Sequence, residues 1–398
     1  MAPAETLAEA LPSMALATKA IHADDCFSAH RAIAPAMHVA VTYRYARSPD
    51  NLIPQENKDP NAPFDSHVYA RYDAPNSSRF ETVLSQLLGG GILTYATGLA
   101  AFHAIMVLLN PKRVFLSDGY HGVHAIIEVM SKLTGVQKLP LDQLDERLGP
   151  GDIVHIETPL NPTGEARDLA YYSAKAHTAG AYLTVDSTLA PPPLQDPLQF
   201  GADLVLHSGT KYIGGHSDMM CGILVVRLER VAQGWLDTLY SERMVLGSVM
   251  GSLEGWLGLR SLRTLELRVK RQSGTAERLV AWLNEELQNE ESPVGRVMDR
   301  VRHASLQKED VGWLQRQMPG GYGPVFAIWA KNADLAKRLP TKMVIFQHAT
   351  SLGDVESLIE WRAMSDSSCD PCLLRVSCGV EDVEDLKRDF WRACEALL

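Results

Sequence analysis

Lys211 stands in the stretch Leu206-His-Ser-Gly-Thr-Lys-Tyr-Ile-Gly-Gly-His216, flanked by the small residues Ser208, Gly209 and Thr210. Asp186 stands twenty-five positions earlier and closes the apolar run Ala181-Tyr-Leu-Thr-Val-Asp186. A lysine amine can form a Schiff base, a carboxylate can keep a pyridine nitrogen protonated, and neighbouring hydroxyls can bind a phosphate. Those three capacities together suit pyridoxal 5'-phosphate (PLP). The plainer readings are an exposed loop lysine and an aspartate that caps the turn before Ser187-Thr188.

Both residues need strand ends to bring them together. Short apolar runs over residues 92–97, 113–117, 152–157, 181–186, 203–207 and 222–226 predict strands, with helices between several of them, including 78–88 and 98–109. Gly89-Gly-Gly91 predicts the stop of the first of these helices. Such alternation implies an α/β fold with a mostly parallel central sheet covered by helices on both faces. A long helical region over 248–290, broken near Gly258, and a strand near 325–329 predict a second, smaller α/β domain. The expected division is an N-terminal arm over 1–60, a large cofactor-binding domain over 61–247 and a C-terminal domain over 248–398.

Ligands of open α/β sheets sit outside the carboxyl ends of the strands, and Asn161, Asp186 and Lys211 all fall there. Asn161 lies in the turn-rich Glu157-Thr-Pro-Leu-Asn-Pro-Thr-Gly164. At the strand-to-helix junction Ala96-Thr-Gly-Leu-Ala100, the amides of Gly98 and Leu99 can face an anion, although a Thr97 cap explains the same letters. Tyr120 follows another strand end and can stack on a ring. Arg375, a lone cation within Leu373-Leu-Arg-Val-Ser377, needs an anionic partner, either a substrate carboxylate or a protein acid. The glycine patterns of dinucleotide and P-loop sites are missing.

Composition sets the remaining bounds. The 398 residues, 46% hydrophobic and 22% charged, suit a globular protein, and a net charge of −10 argues against nucleic acid as a partner. No apolar span is long enough for a membrane, and a cytoplasmic location is expected. Six cysteines are too sparse for a disulfide framework. Cys369-Asp-Pro-Cys372 lacks a second ligand pair, so no metal site is expected.

Several segments resemble the Cys/Met-metabolism family of PLP-dependent enzymes, the cystathionine γ-synthase and γ-lyase group. They are Val68-Tyr-Ala-Arg-Tyr72, Thr97-Gly-Leu-Ala-Ala101, Glu157-Thr-Pro-Leu-Asn-Pro162, Val185-Asp-Ser-Thr188, His207 to Asp218, and Ser351-Leu-Gly-Asp-Val-Glu-Ser-Leu358. The resemblance runs from Ala17 to Asp382 and implies a fold-type I transferase. It implies Lys211 as Schiff-base lysine and proton shuttle, Asp186 on the pyridine nitrogen, Tyr120 stacked on the ring and Asn161 near its phenolic oxygen. Gly98, Leu99, Ser208 and Thr210 would hold the phosphate. Tyr69 and Arg71 would reach it from a neighbouring subunit of a homotetramer, and Arg375, with Ser351 and Asn161, would bind the substrate carboxylate.

The chain departs from the family pattern at His121, Thr350 and Glu360-Trp-Arg-Ala-Met-Ser365, around the expected substrate mouth. Gly122, where methionine γ-lyases typically carry cysteine, argues against that subgroup. The expected activity is γ-replacement on an activated L-homoserine ester, such as O-acetyl-L-homoserine, by a thiol or a carbon nucleophile, with secondary metabolism as one setting. A β- or γ-lyase of sulfur amino acids is the alternative within the fold, and a non-catalytic scaffold is the alternative outside it.

Overall fold

The computed structural model describes residues 7–27, 32–54, 57 and 67–398. Of the expected arm over 1–60, residues 1–6, 28–31, 55–56 and 58–60 therefore lie outside the described residues. Residues 7–27 carry short helices, Leu16–His22 among them, and 32–54 run mostly without regular structure and largely exposed.

Seven strands form the central sheet: β1 (Gly91–Tyr95), β2 (Arg113–Leu116), β3 (Gln137–Pro140), β4 (Ile153–Glu157), β5 (Tyr182–Asp186), β6 (Leu204–Ser208) and β7 (Gly222–Val226). Their order is β1-β7-β6-β5-β4-β2-β3, and only β7 runs against its neighbours. Side chains alternate between two cores. Leu204, Leu206 and Leu224 join Phe102, Ile105 and Ile127 on one face, while Val205, Ile223 and Val225 join Phe80, Val83 and Leu169 on the other. Burial on both faces makes the central strands read as unbroken apolar runs.

The second sheet comprises β8 (Met298–Arg302), β9 (Val325–Ala330), β10 (Gln347–His348), β11 (Leu358–Trp361) and β12 (Leu373–Ser377). Its order is β10-β11-β12-β9-β8, with only the β10–β11 pair parallel. The helices Leu265–Glu286 and Val383–Glu395 supply Leu279, Leu283, Leu386 and Phe390 to its core.

Three local expectations are corrected. Strand β3 escapes the apolar-run criterion because it is an edge strand with only Leu139 buried. The first sheet-covering helix is Pro75–Leu88, three residues longer at its start, with Pro75 in the first turn where a missing N–H costs nothing. The long helical region breaks at Arg263-Thr264, between Ser252–Leu262 and Leu265–Glu286. Gly258 does not break it, because a Cβ there would come within 2.7 Å of the Phe80 ring. That glycine serves packing.

Among the described residues, no helix is long and apolar enough to cross a membrane. No group of three or more His, Cys, Asp or Glu side chains there is placed to hold a metal ion.

Gly222, paired with Tyr95 across β1 and β7, lies directly under the Thr97–Gly98 turn. A Cβ at that position would fall 2.0 Å from the Thr97 carbonyl oxygen. Gly222→Ala is therefore expected to destabilise the protein by about 1–3 kcal/mol through overpacking, read as a lower urea midpoint. An unchanged midpoint would mean that the turn yields freely.

Candidate active site

The residues singled out by chemistry form a chain of contacts around the carboxyl ends of β4, β5 and β6. The Thr97 side chain caps the helix Gly98–Leu109 by accepting from the Ala100 N–H at 3.0 Å. The plain capping role is thus real, and it turns the start of that helix toward Ser208. A Cβ on Gly98 would meet the Ser208 side chain at 3.2 Å. Thr210, one turn on, is fixed by accepting the Cys221 N–H at 3.0 Å.

Leu99 leads to the ring-stacking candidate. A Cβ on Gly122 would sit 2.7 Å from the Tyr120 ring and 2.8 Å from Leu99, so there is no room for a side chain at 122. Tyr120 is 38% exposed, and its ring lies 4.8 Å from that of His121, centroid to centroid.

Glu157, the last residue of β4, has no role in the sequence reading. Its two carboxyl oxygens accept the N–H of Tyr120 at 2.8 Å and of Asn161 at 2.7 Å. It thereby fixes the two loops that would lie on either side of a bound ring. The available signal was an acid ending an apolar strand, in ladder register with Asp186. Burial pushes both carboxyls up, and Asp186 raises Glu157 further by like-charge repulsion. Asp186 also accepts the Thr188 N–H at 2.9 Å, so the turn-capping role coexists with any ligand role.

Asn161 reaches the second sheet, its side-chain oxygen accepting from Arg375 at 3.0 Å. Arg375 also donates to the Thr350 hydroxyl at 3.3 Å and to Glu360 at 2.5 Å. Burial lowers the Arg375 pKa to about 10, still far above neutrality. The protein acid that the sequence left open is thus present.

Lys211 closes the circuit by donating from Nζ to the Ser351 hydroxyl at 2.7 Å. Ser351 has φ +66, a left-handed backbone that costs a serine roughly 1–2 kcal/mol. Burial lowers the Lys211 pKa to about 8, assisted by Arg375 and opposed by Asp354 and Glu360. Beside the lysine lies a cavity of about 400 Å³ lined by Thr210, Thr350, Ser351 and Asp354. Tyr69 and Arg71 are placed elsewhere. Arg71 donates to the Met244 carbonyl at 2.6 Å and lies against the rings of Tyr69 and Tyr72.

The arrangement fits PLP. The start of the helix Gly98–Leu109 lies against Ser208, where a Cβ on Gly98 would make a tight 3.2 Å contact, and its free amides could hold a phosphate there. A protonated ring nitrogen would supply the positive charge that the buried Asp186–Glu157 pair lacks. The sequence model for Cys/Met metabolism PLP-dependent enzymes matches residues 17–395. The chain belongs to this family, and its cofactor is PLP.

Chloroplastic cystathionine beta-lyase of Arabidopsis thaliana is 28% identical over 395 residues, covering 94% of this chain and 80% of that one. Cystathionine gamma-lyase of Saccharomyces cerevisiae is 28% identical over 403 residues, covering 95% and 96%. The structure of cystathionine gamma synthase from Xanthomonas oryzae pv. oryzae in complex with aminoacrylate and cysteine superposes with a TM-score of 0.82. It is 27% identical and covers 97% of this chain and all of the other. The family likeness establishes a PLP-dependent enzyme of sulfur amino-acid metabolism.

A buried amine disfavours its charged form and so loses its proton at lower pH. In protein freed of PLP, the reaction rate of Lys211 with an amine-selective electrophile should rise with a midpoint near pH 8. A midpoint at the solvated-lysine value of about 10.4 would show that the amine is not desolvated.

Proposed function

We propose that this enzyme performs γ-replacement on an activated L-homoserine ester such as O-acetyl-L-homoserine, with a thiol or a carbon acid as nucleophile. The observation that carries the reading is the placement of Lys211, whose Nζ donates to the Ser351 hydroxyl at 2.7 Å beside a cavity lined by Thr210, Thr350, Ser351 and Asp354. Its amine, with a pKa of about 8, can both take and give a proton near neutrality. Replacement at Cγ, like γ-elimination, needs a proton moved at Cα and then at Cβ, whereas β-elimination needs only the first removal.

PLP, when bound, supplies the electron sink for the charge left on substrate carbon. Lys211 takes the Cα proton and, with the Tyr120 hydroxyl assisting, moves the Cβ proton. The acetate then leaves Cγ, and the nucleophile bonds there. Asp186 holds the ring nitrogen, Asn161 lies near the phenolic oxygen, and Gly98, Leu99, Ser208 and Thr210 hold the phosphate. Arg375, with Asn161 and Ser351, binds the α-carboxylate. Neutral Thr350 and the imidazole of His121 at the mouth leave room for a nucleophile other than cysteine.

Incubation with O-acetyl-L-homoserine should release acetate faster when a thiol or an enolisable ketone is added, with a product mass matching the adduct. Lys211→Ala should abolish that release. The second reading, a β- or γ-lyase, is favoured by the names of the curated relatives. It predicts keto acid and ammonia from cystathionine alone, and that result without acetate release would replace the first reading.

The same proposal includes a cytoplasmic homotetramer whose parts are an arm over 1–60, a cofactor-binding domain over 61–247 and a C-terminal domain over 248–398. Free cysteines suit a reducing compartment. Along the arm, Ile33, Val39, Val41, Leu52 and Ile53 expose apolar surface that a neighbouring copy would cover. Tyr69 and Arg71 would then serve the neighbour's phosphate. Mixing Lys211→Ala chains with Arg71→Ala chains should restore roughly a quarter of wild-type activity, because half of the random dimers regain one of two sites. No recovery would place Arg71 in its own chain's site.

A further inference from the structure

Arg375 is held from behind by a second arginine acting through a shared acid. Glu360 and Arg375 face each other in register across β11 and β12. One Glu360 oxygen accepts from Arg375 at 2.5 Å and from Arg362 at 3.0 Å, and the other accepts from the Ser365 hydroxyl at 2.7 Å. Arg362 also donates to Ser365 at 3.0 Å and lies 3.8 Å from Asp366. Glu360 is 3% exposed and Arg362 is 3% exposed. Burial alone would raise the Glu360 pKa, but Arg375 and then its other partners hold it below the usual carboxylate value, so the acid stays charged.

A shared carboxylate gives Arg375 a tether without cancelling its charge. A guanidinium has five N–H donors. Three serve Asn161, Thr350 and Glu360, which leaves two for a ligand. Glu157 is a second acid in the electrostatic neighbourhood of Arg375.

We infer that Glu360, anchored by Arg362 and Ser365, is a positioning residue for substrate binding. It sets the plane of the Arg375 guanidinium and keeps it available to the α-carboxylate of an amino-acid substrate. The inference rests on the reading of Arg375 as the carboxylate site. It assigns a purpose to Glu360-Trp-Arg-Ala-Met-Ser365, where the chain departs from the family pattern.

The test uses the PLP-loaded enzyme and the variants Glu360→Gln, Arg362→Gln and Arg375→Lys. Glutamine keeps the size of Glu360 and one acceptor but loses its charge. Glu360→Gln should raise KM for the amino-acid substrate roughly tenfold or more through lost preorganisation, with kcat changed far less. It should weaken glycine binding, followed by the cofactor's visible absorption, to a similar degree. Loss of a negative charge near Lys211 should also lower the pH midpoint of that absorption, while the rise of KM without a matching fall in kcat is what a merely structural role would not produce. Arg362→Gln should move KM in the same direction by less.

If Arg375→Lys raises KM while Glu360→Gln leaves KM, glycine binding and the pH midpoint unchanged, the inference is overturned and the carboxylate reading stands. A lower KM in Glu360→Gln would show that Glu360 competes with substrate, which also overturns it. If Arg375→Lys leaves KM unchanged, both fall. Where Glu360→Gln does not fold, the paired Glu360→Gln/Arg362→Leu variant removes the unbalanced charge. It should fold with KM still raised, and an unchanged KM there overturns the inference.

Discussion

The hydrogen bond from Arg375 to Asn161, 3.0 Å long, joins the loop after β4 to the centre of the second sheet. The candidate site depends on that junction. Neither partner is free to wander. Asn161 is held through its backbone by Glu157, and Arg375 is held at its far end by Glu360. Each sheet therefore offers a pre-stiffened half-site, and joining them costs little further side-chain entropy. Asp186, Ser208 and Lys211 come from the first sheet and its connections, while Arg375 and the Ser351 partner of Lys211 come from the second, and this junction links the two groups.

Electrostatics explains why the halves must meet in this way. The first sheet contributes two neighbouring carboxyls, Glu157 and Asp186, both resisting ionisation where burial strips them of water. The second sheet contributes Arg375, which favours the charged form of Glu157 and also helps to lower the Lys211 pKa. A substrate carboxylate and the ring nitrogen of PLP bring one negative and one positive group into this field. A positive ring nitrogen would favour the charged form of the neighbouring carboxyl, and Arg375 already offers a substrate carboxylate an opposite charge.

How much of this was legible follows from the range of the interactions. Lys211, Asp186 and Asn161 end or follow apolar strands, and a parallel sheet brings strand ends together without further information. Thr97 and Gly98 were legible because capping is local. The edge strand β3 was not, because an edge strand need not be apolar on either face. Gly258 misled because a glycine that makes room for Phe80 has the same letter as one that ends a helix. Glu157 and Glu360 were harder still. The first acts through the backbone N–H groups of two loops, and the second through a cross-strand register that composition and periodicity do not specify. Tyr69 and Arg71 mark the opposite limit. Family resemblance gave them a role across a subunit boundary, while the single chain places Arg71 on the Met244 carbonyl.

The difference between the residues that keep the family pattern and those that depart from it has a physical basis. Lys211, Asp186 and Ser208 are fixed by the main sheet, whose central strands are buried on both faces and tolerate little change. Thr350, Ser351 and residues 360–366 lie on the smaller sheet and its connections, where exposed positions alternate with buried ones. Change is cheaper there, provided that buried charge stays balanced. Arg362 brings such a charge, and it is compatible with folding because Glu360, Ser365 and Asp366 are already arranged to receive it. The segment 360–366 thus departs from the family pattern in polar and charged residues, while Lys211, Asp186 and their neighbours on the main sheet keep it.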